Sequence, residues 1–247
     1  MYILHLSDIH YRRELGCRKK ADQGPLDGTN KKHGGVDRAA GPDGYQAMLS
    51  AMQNPLVFLD DCLDRVAGDW ERIGLVVITG DLTEDGTAED YRCLKHHIRK
   101  RIGDIPLVVT LGNHDNKRNF REGWLEEDAD SPCGLKEIGS APYNTIRRLE
   151  DTAVISFDTS VQGVPDGRMD DSQAAWLESV LKAEGKGPSI LVTHHHLLPE
   201  QGQIPPLPES RRLLSLLEHS GVSCILCGHT HHHHAGLAAG RPCHIAD

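Results

Sequence analysis

The run Leu107-Val108-Val109-Thr110-Leu111-Gly112-Asn113-His114-Asp115 changes character in one step. Short, apolar and rich in β-branched residues, its first part predicts a buried strand at about 106–111. A glycine then ends the strand, and an amide, an imidazole and a carboxylate follow. The same change recurs along the chain. Asp8-Ile9-His10 follows a strand predicted at 2–6, and Gly80-Asp81 follows one at 75–79. Thr193-His194-His195-His196 follows 189–193, and Gly228-His229-Thr230-His231 follows 223–227. Each cluster supplies a carboxylate, an amide or an imidazole, which divalent metals such as Zn, Mn and Fe accept. One such cluster carries little information. Five at the ends of apolar runs predict that the fold gathers them around metal ions.

Between the strands, including one at 153–158, lie helix-like segments. Residues 55–67 place Leu56, Leu59, Leu63 and Val66 on one face, and 87–101 do the same with Tyr91, Leu94 and Ile98. Residues 171–183, with Ser172 as the expected cap, and 208–219 complete the set. Alternating strands and helices predict an α/β layered architecture. In open α/β sheets the C-terminal strand edge is where ligands bind, so the chain order itself predicts convergence of the clusters. A last strand-like piece runs from Pro242 to Ile245.

The 247 residues suit one domain over 1–247, with an irregular insertion at about 11–48 that is rich in Gly, Lys, Arg and Asp. There is no apolar stretch of about 18 residues, so no membrane span is expected. Met1 leads directly into Tyr2-Ile3-Leu4 without the pattern of a secretory signal. Seven scattered cysteines fit a reduced, cytoplasmic setting better than a disulfide framework. The formal net charge of −9 argues against a long nucleic-acid ligand, though not against a small phosphate ester held beside metal ions.

The clusters define a chemistry. Asp8 and His10, two apart, can reach one metal from a loop leaving a strand. Asp81 has two oxygens with which to bridge two metals, Asn113 offers a carbonyl oxygen, and His194, His229 and His231 offer nitrogen. His194, first after the apolar strand, is favoured, with His195 as the alternative. Two metals sharing a carboxylate clamp a phosphoryl group and lower the pKa of a bridging water. Protonation of the leaving alkoxide then falls to His114, with Asp115 expected to orient or charge-balance its ring. The mixed N/O set suits Mn, Fe or Zn better than Mg or Ca.

Asp-x-His, Gly-Asp, Gly-Asn-His-Asp, His and Gly-His-Thr-His, in this order, resemble the calcineurin-like metallophosphoesterase family over most of the chain. The resemblance implies a four-layer α-β-β-α sandwich with a dinuclear centre at one edge. It also implies that Asp8, His10, Asp81 and His231 hold one metal, that Asp81, Asn113, His194 and His229 hold the other, and that His114 is the proton donor. The stretches Thr79 to Thr87, Leu107 to Asp115, Asp158-Thr159-Ser160, Gly167 to Asp170 and Gln173 to Leu177 resemble the bacterial class III cyclic-nucleotide phosphodiesterase branch. Purple acid phosphatases carry a tyrosine where this chain has Glu84, and protein Ser/Thr phosphatases carry Gly-Asn-His-Glu where it has Asp115.

Other features have plainer readings. Cys224 and Cys227 read as buried strand cysteines facing the same way rather than a zinc or redox pair. Lys95, His96, His97, Arg99, Lys100 and Arg101 read as a solvated helix face, and His232, His233 and His234 as solvated. Arg12, Arg13, Arg18, Lys19 and Lys20 follow the first cluster closely enough to reach a substrate phosphate. The leading expectation is hydrolysis of small-molecule phosphodiesters by a metal-bridging hydroxide. A phosphomonoesterase or nucleotide pyrophosphatase of the same fold is the alternative, and a non-catalytic scaffold is disfavoured because all seven ligands and His114 are present.

Overall fold

The computed structural model describes residues 2–13, 54–127, 140–201 and 204–246. Most of the expected insertion at 11–48 therefore lies outside the described residues, with Arg18, Lys19 and Lys20.

Three strands form a parallel sheet in the order β1 (Tyr2–Leu6), β2 (Ile73–Thr79), β3 (Leu107–Thr110). The second sheet contains β4 (Thr145–Leu149), β5 (Thr152–Ser156), β6 (Ser189–Val192), β7 (Val222–Cys227), β8 (His234–Ala238) and β9 (Arg241–Ile245). Its order is β4-β5-β6-β7-β9-β8. The pairs β5–β6, β6–β7 and β7–β9 are parallel, and the two outermost pairs are antiparallel.

Side-chain alternation explains why the sheets stack. On a two-residue period, Leu75 and Val77 of β2 face one way and Val76 and Ile78 the other. Leu75, Val77 and Val108 pack with Val154, Ile190, Val192 and Leu226 of the second sheet, forming the core between the sheets. Val76, Ile78 and Val109 pack outward with Leu59 and Leu63 of α1 (Pro55–Arg65) and Leu94 and Ile98 of α2 (Ala88–Ile102). The second sheet turns Ile155, Leu191, Ile225 and Ile245 toward Leu177 and Leu181 of α4 (Asp171–Glu184) and Leu213 and Leu217 of α5 (Ser210–Leu217). These are the four α-β-β-α layers that the sequence led us to expect.

The helix starts follow local chemistry. Asn54 accepts a hydrogen bond from Leu56 N at 3.0 Å, with Pro55 in the first turn. Thr87 accepts from Asp90 N at 3.1 Å to start α2. The cap of α4 is Asp170, not the expected Ser172. Asp170 accepts from Gln173 N, and Gln173 Oε1 accepts from Asp170 N, a reciprocal box that a serine inside the first turn cannot make.

Cys224 and Cys227 also differ from expectation. Three residues apart on a two-residue period, they face opposite sides of β7. Cys224 packs into the inter-sheet core. Cys227 packs on the helix side, with its Sγ 4.0 Å from Cys243 Sγ. Among the described residues, two strands and one α-helix have no counterpart in the sequence-based expectation: β4, β8 and α3 (Lys117–Gly123). Much of the basic run on α2 is tied locally: Lys95 to Glu126, His97 to Asp60, and Arg101 to Asp60 and Asp64. No described helix is long and apolar enough to cross a membrane.

Candidate metal centre

The clusters leave the C-terminal ends of β1, β2, β3, β6 and β7, and the fold stitches their loops together. Asp8 N donates to Gly80 O at 3.1 Å, and His10 N to Asp81 O at 2.9 Å. Gly228 N donates to His194 O at 2.9 Å. Asp8, His10, Asp81, His229 and His231 all adopt positive φ, between 46° and 77°. Left-handed backbone costs a non-glycine residue about 1–3 kcal/mol and persists only where the surroundings over-determine it. Here it turns successive polar side chains inward from tight loops.

Two clusters of donor atoms result, and Asp81 Oδ2 faces both. On one side it lies 3.6 Å from His10 Nε2, and His10 Nε2 lies 3.2 Å from His231 Nε2. Asp8 Oδ1 lies 3.5 Å from His231 Nε2 and 4.0 Å from His10 Nε2. On the other side Asp81 Oδ2 lies 3.5 Å from His194 Nε2, which is 3.2 Å from Asn113 Oδ1. The His229 ring stands 5.0 Å from that of His194. Asp81 Oδ1 accepts the backbone N–H of His114 at 2.9 Å, while Oδ2 is the oxygen that faces both clusters.

The donor set meets a direct test for a cation. Asp8 Oδ1 is buried with no hydrogen-bond partner, and two imidazole nitrogens face each other at 3.2 Å beside it. A buried carboxylate oxygen without a donor is costly and calls for an explanation, and a bound ion provides one. Donor atoms of Asp8, His10, Asp81 and His231 lie within 4.8 Å of one another. So do those of His194, His195 and His229, and those of His10, Glu84 and His114. His194 and His195 differ in what they face. His194 donates from Nδ1 to Thr79 O at 2.7 Å and turns Nε2 toward Asp81 and Asn113. Both nitrogens of His195 are taken up by Thr159 and Pro165, at 2.7 and 3.0 Å.

Charge follows the same layout. Burial pushes the Asp81 carboxyl up, but His194, then His10 and His114, outweigh it and hold the pKa well below the ordinary range. Burial likewise opposes charge on His194, yet Asp81 prevails and raises its pKa to about 9. His229 goes the other way: burial, reinforced by the charge of His194, lowers it to about 3 and keeps it a neutral donor.

The sequence reading gave Asp115 the task of orienting His114, and the structure gives it another. Asp115 accepts from Leu82 N, Thr83 N, Gly112 N and Tyr91 Oη at 2.9–3.3 Å, so both its oxygens are occupied in pinning two loops. Burial and nearby Asp81 raise its pKa to about 6. The carboxylate that meets the His114 ring is Glu84. Its Oε2 lies 3.2 Å from His114 Nδ1 and 2.8 Å from His10 Nδ1. The hydrogen bond to Glu84 raises His114 to about 9 against partial burial. Glu84 itself falls to about 2, because its histidine partners outweigh burial. Its position three residues after Asp81 was the available signal, since a tight loop returns there to the same site. Arg12 is held by Asp85 at 2.8 Å and stands 3.8 Å from Glu84. His232 and His233 are exposed.

The model of the calcineurin-like phosphoesterase family matches residues 1–233. A "probable cyclic nucleotide phosphodiesterase" of Rhodococcus erythropolis is 32% identical over 193 residues, covering 76% of this chain and 61% of its own length. The glycerophosphodiester phosphodiesterase GpdQ of Enterobacter lignolyticus is 28% identical over 239 residues, covering 94% of this chain and 71% of its own. The chain thus spans less than two thirds of the first relative and somewhat more of the second. Among solved structures, a dimetal phosphatase from Danio rerio superposes with a TM-score of 0.59 at 14% identity, covering 98% of this chain and 86% of that one, which is a likeness of fold. With two donor clusters meeting at Asp81 on the edge of an α-β-β-α sandwich, and with the family match running from residue 1 to 233, the chain belongs to the calcineurin-like phosphoesterase family.

Proposed function

We propose that this protein hydrolyses phosphodiester bonds of small molecules, of the cyclic-nucleotide or glycerophosphodiester kind, with two divalent cations drawn from Mn, Fe and Zn. The observation that carries the reading is the placement of Asp81 Oδ2 within 3.6 Å of His10 Nε2 and 3.5 Å of His194 Nε2, at the junction of two donor clusters. Relatives named for diester substrates support the choice of bond.

Asp8, His10, Asp81 and His231 would hold one cation, and Asp81, Asn113, His194 and His229 the other. The mixed nitrogen and oxygen set favours first-row metals over Mg or Ca. When bound, two such cations supply positive charge for the phosphoryl oxygens and make a nearby water more acidic. The chain supplies the rest. Glu84 engages His114 Nδ1, so the charged imidazole keeps its second proton on Nε2 for the departing alkoxide. In the metal-free chain the hydrogen bond to Glu84 raises His114 to about 9, which favours the protonated ring. Asp81 Oδ1, accepting the backbone N–H of His114, ties the donor loop to the centre.

His114→Ala in the Mn-loaded protein tests the assignment. Both metals should remain. Turnover should fall about 10²–10⁴-fold on diesters with alkyl leaving groups. With p-nitrophenolate as leaving group, which departs without a proton, the loss should be much smaller. Wild-type rates on an alkyl leaving group would remove His114 from the role.

A further inference from the structure

His195 is buried beside the centre, and both of its ring nitrogens are hydrogen-bonded within the protein. Its Nε2 lies 3.0 Å from Pro165 O, which can only accept, so the proton sits on Nε2. Nδ1 is then an acceptor, and Thr159 donates its O–H to it across 2.7 Å. With that proton committed, Thr159 Oγ1 accepts from Thr193 Oγ1 at 3.2 Å. A chain of three hydrogen bonds thus sets both the tautomer and the plane of the ring. Gly167, at φ 70°, closes the back: a Cβ there would lie 2.5 Å from His195 Nδ1 and Cε1, so a side chain would displace the ring.

The fixed ring stands with its centroid 4.9 Å from that of His194, at 84°, and 4.8 Å from that of His229, tilted by 59°. Donor atoms of the three histidines are close enough for a three-imidazole cation site. Using His195 that way would break one of its two hydrogen bonds and leave a buried group unpaired.

We propose that His195 is a positioning residue: the Thr193–Thr159–His195–Pro165 chain clamps the imidazoles of His194 and His229, so that their side of the centre binds its cation tightly. The proposal rests on the reading above, in which His194 and His229 serve the same cation. Groups that orient a ligand imidazole commonly set metal affinity by about 10–100-fold.

The test is calorimetric titration of the chelator-stripped full chain with MnCl₂, resolved into two binding steps. His229→Ala identifies its step by removing it. Thr159→Val, which keeps the shape and deletes the donor, should weaken that step about 10–100-fold and leave the other unchanged. His195→Gln should do the same, and Thr159→Ser should restore wild-type affinity. Equal weakening of both steps, or of neither, overturns the proposal. So does loss of the step in His195→Gln with no change in Thr159→Val, which would make His195 a ligand. A wild-type chain that takes up fewer than two Mn overturns the underlying site reading instead.

Discussion

Glu84 accepts from two histidines with one oxygen, and this gives the metal-free protein a pH signature. Its folded pKa, about 2, lies below the ordinary 4.5, so its contribution is present above 4.5 and is lost as pH falls toward 2. His114, raised from 6.5 to about 9, contributes fully below 6.5 and loses that contribution as pH rises through 9. The pair therefore stabilises the fold most between pH 4.5 and 6.5. Urea midpoints of the stripped wild type and Glu84→Gln should differ most in that window, and the difference should shrink as pH rises through 9. A difference that does not change with pH would contradict the pairing. At this scale the sequence was informative about the donors and silent about their partners. Asp8, His10, Asp81, Asn113 and the histidines sit in short motifs with ligand chemistry. Glu84 sits in a turn whose path is set by tertiary contacts, and Asp115 looked like an orienting group because it adjoins His114 in the chain, although its carboxylate is taken up by Leu82, Thr83, Gly112 and Tyr91.

Elements set the site's tolerance to change. A Cβ on Gly112 would overlap Asp81 Oδ1, so the β3 loop needs glycine to let the carboxylate pass. Gly112→Ala should keep wild-type circular dichroism and bind Mn about 10–100-fold more weakly; unchanged Mn affinity would show that Asp81 does not depend on that approach. Asp170→Ala removes the box that starts α4. It should lower stability by about 1 kcal/mol in urea unfolding and leave diester turnover unchanged. Periodicity located α1, α2, α4, α5 and seven of the nine described strands within a few residues. It missed β4, whose exposed Arg147 and Arg148 hide its alternation, and β8, whose His-Ala-Gly-Leu-Ala carries little β signal. Neither has a buried face strong enough to mark it.

Across the whole molecule, the division into two sheets is where sequence reading stops. Strand existence follows from local apolar runs, whereas pairing depends on contacts between distant segments. Nothing in Pro242 to Ile245 announces that β9 inserts between β7 and β8. Convergence of the clusters was legible all the same, because parallel strands deliver their C-terminal ends to one edge whichever sheet they join. Inter-sheet packing of Leu75 and Val77 on Ile190 and Val192 then brings Asp81 of one sheet to His194 of the other. The central claim is that this edge holds two cations for diester hydrolysis. Its most direct test is to load the stripped chain with Mn, count the metal bound, and compare turnover of bis-p-nitrophenyl phosphate with that of p-nitrophenyl phosphate. The account predicts two Mn per chain and a clear preference for the diester. Monoester preference, or activity with fewer than two metals, would contradict it.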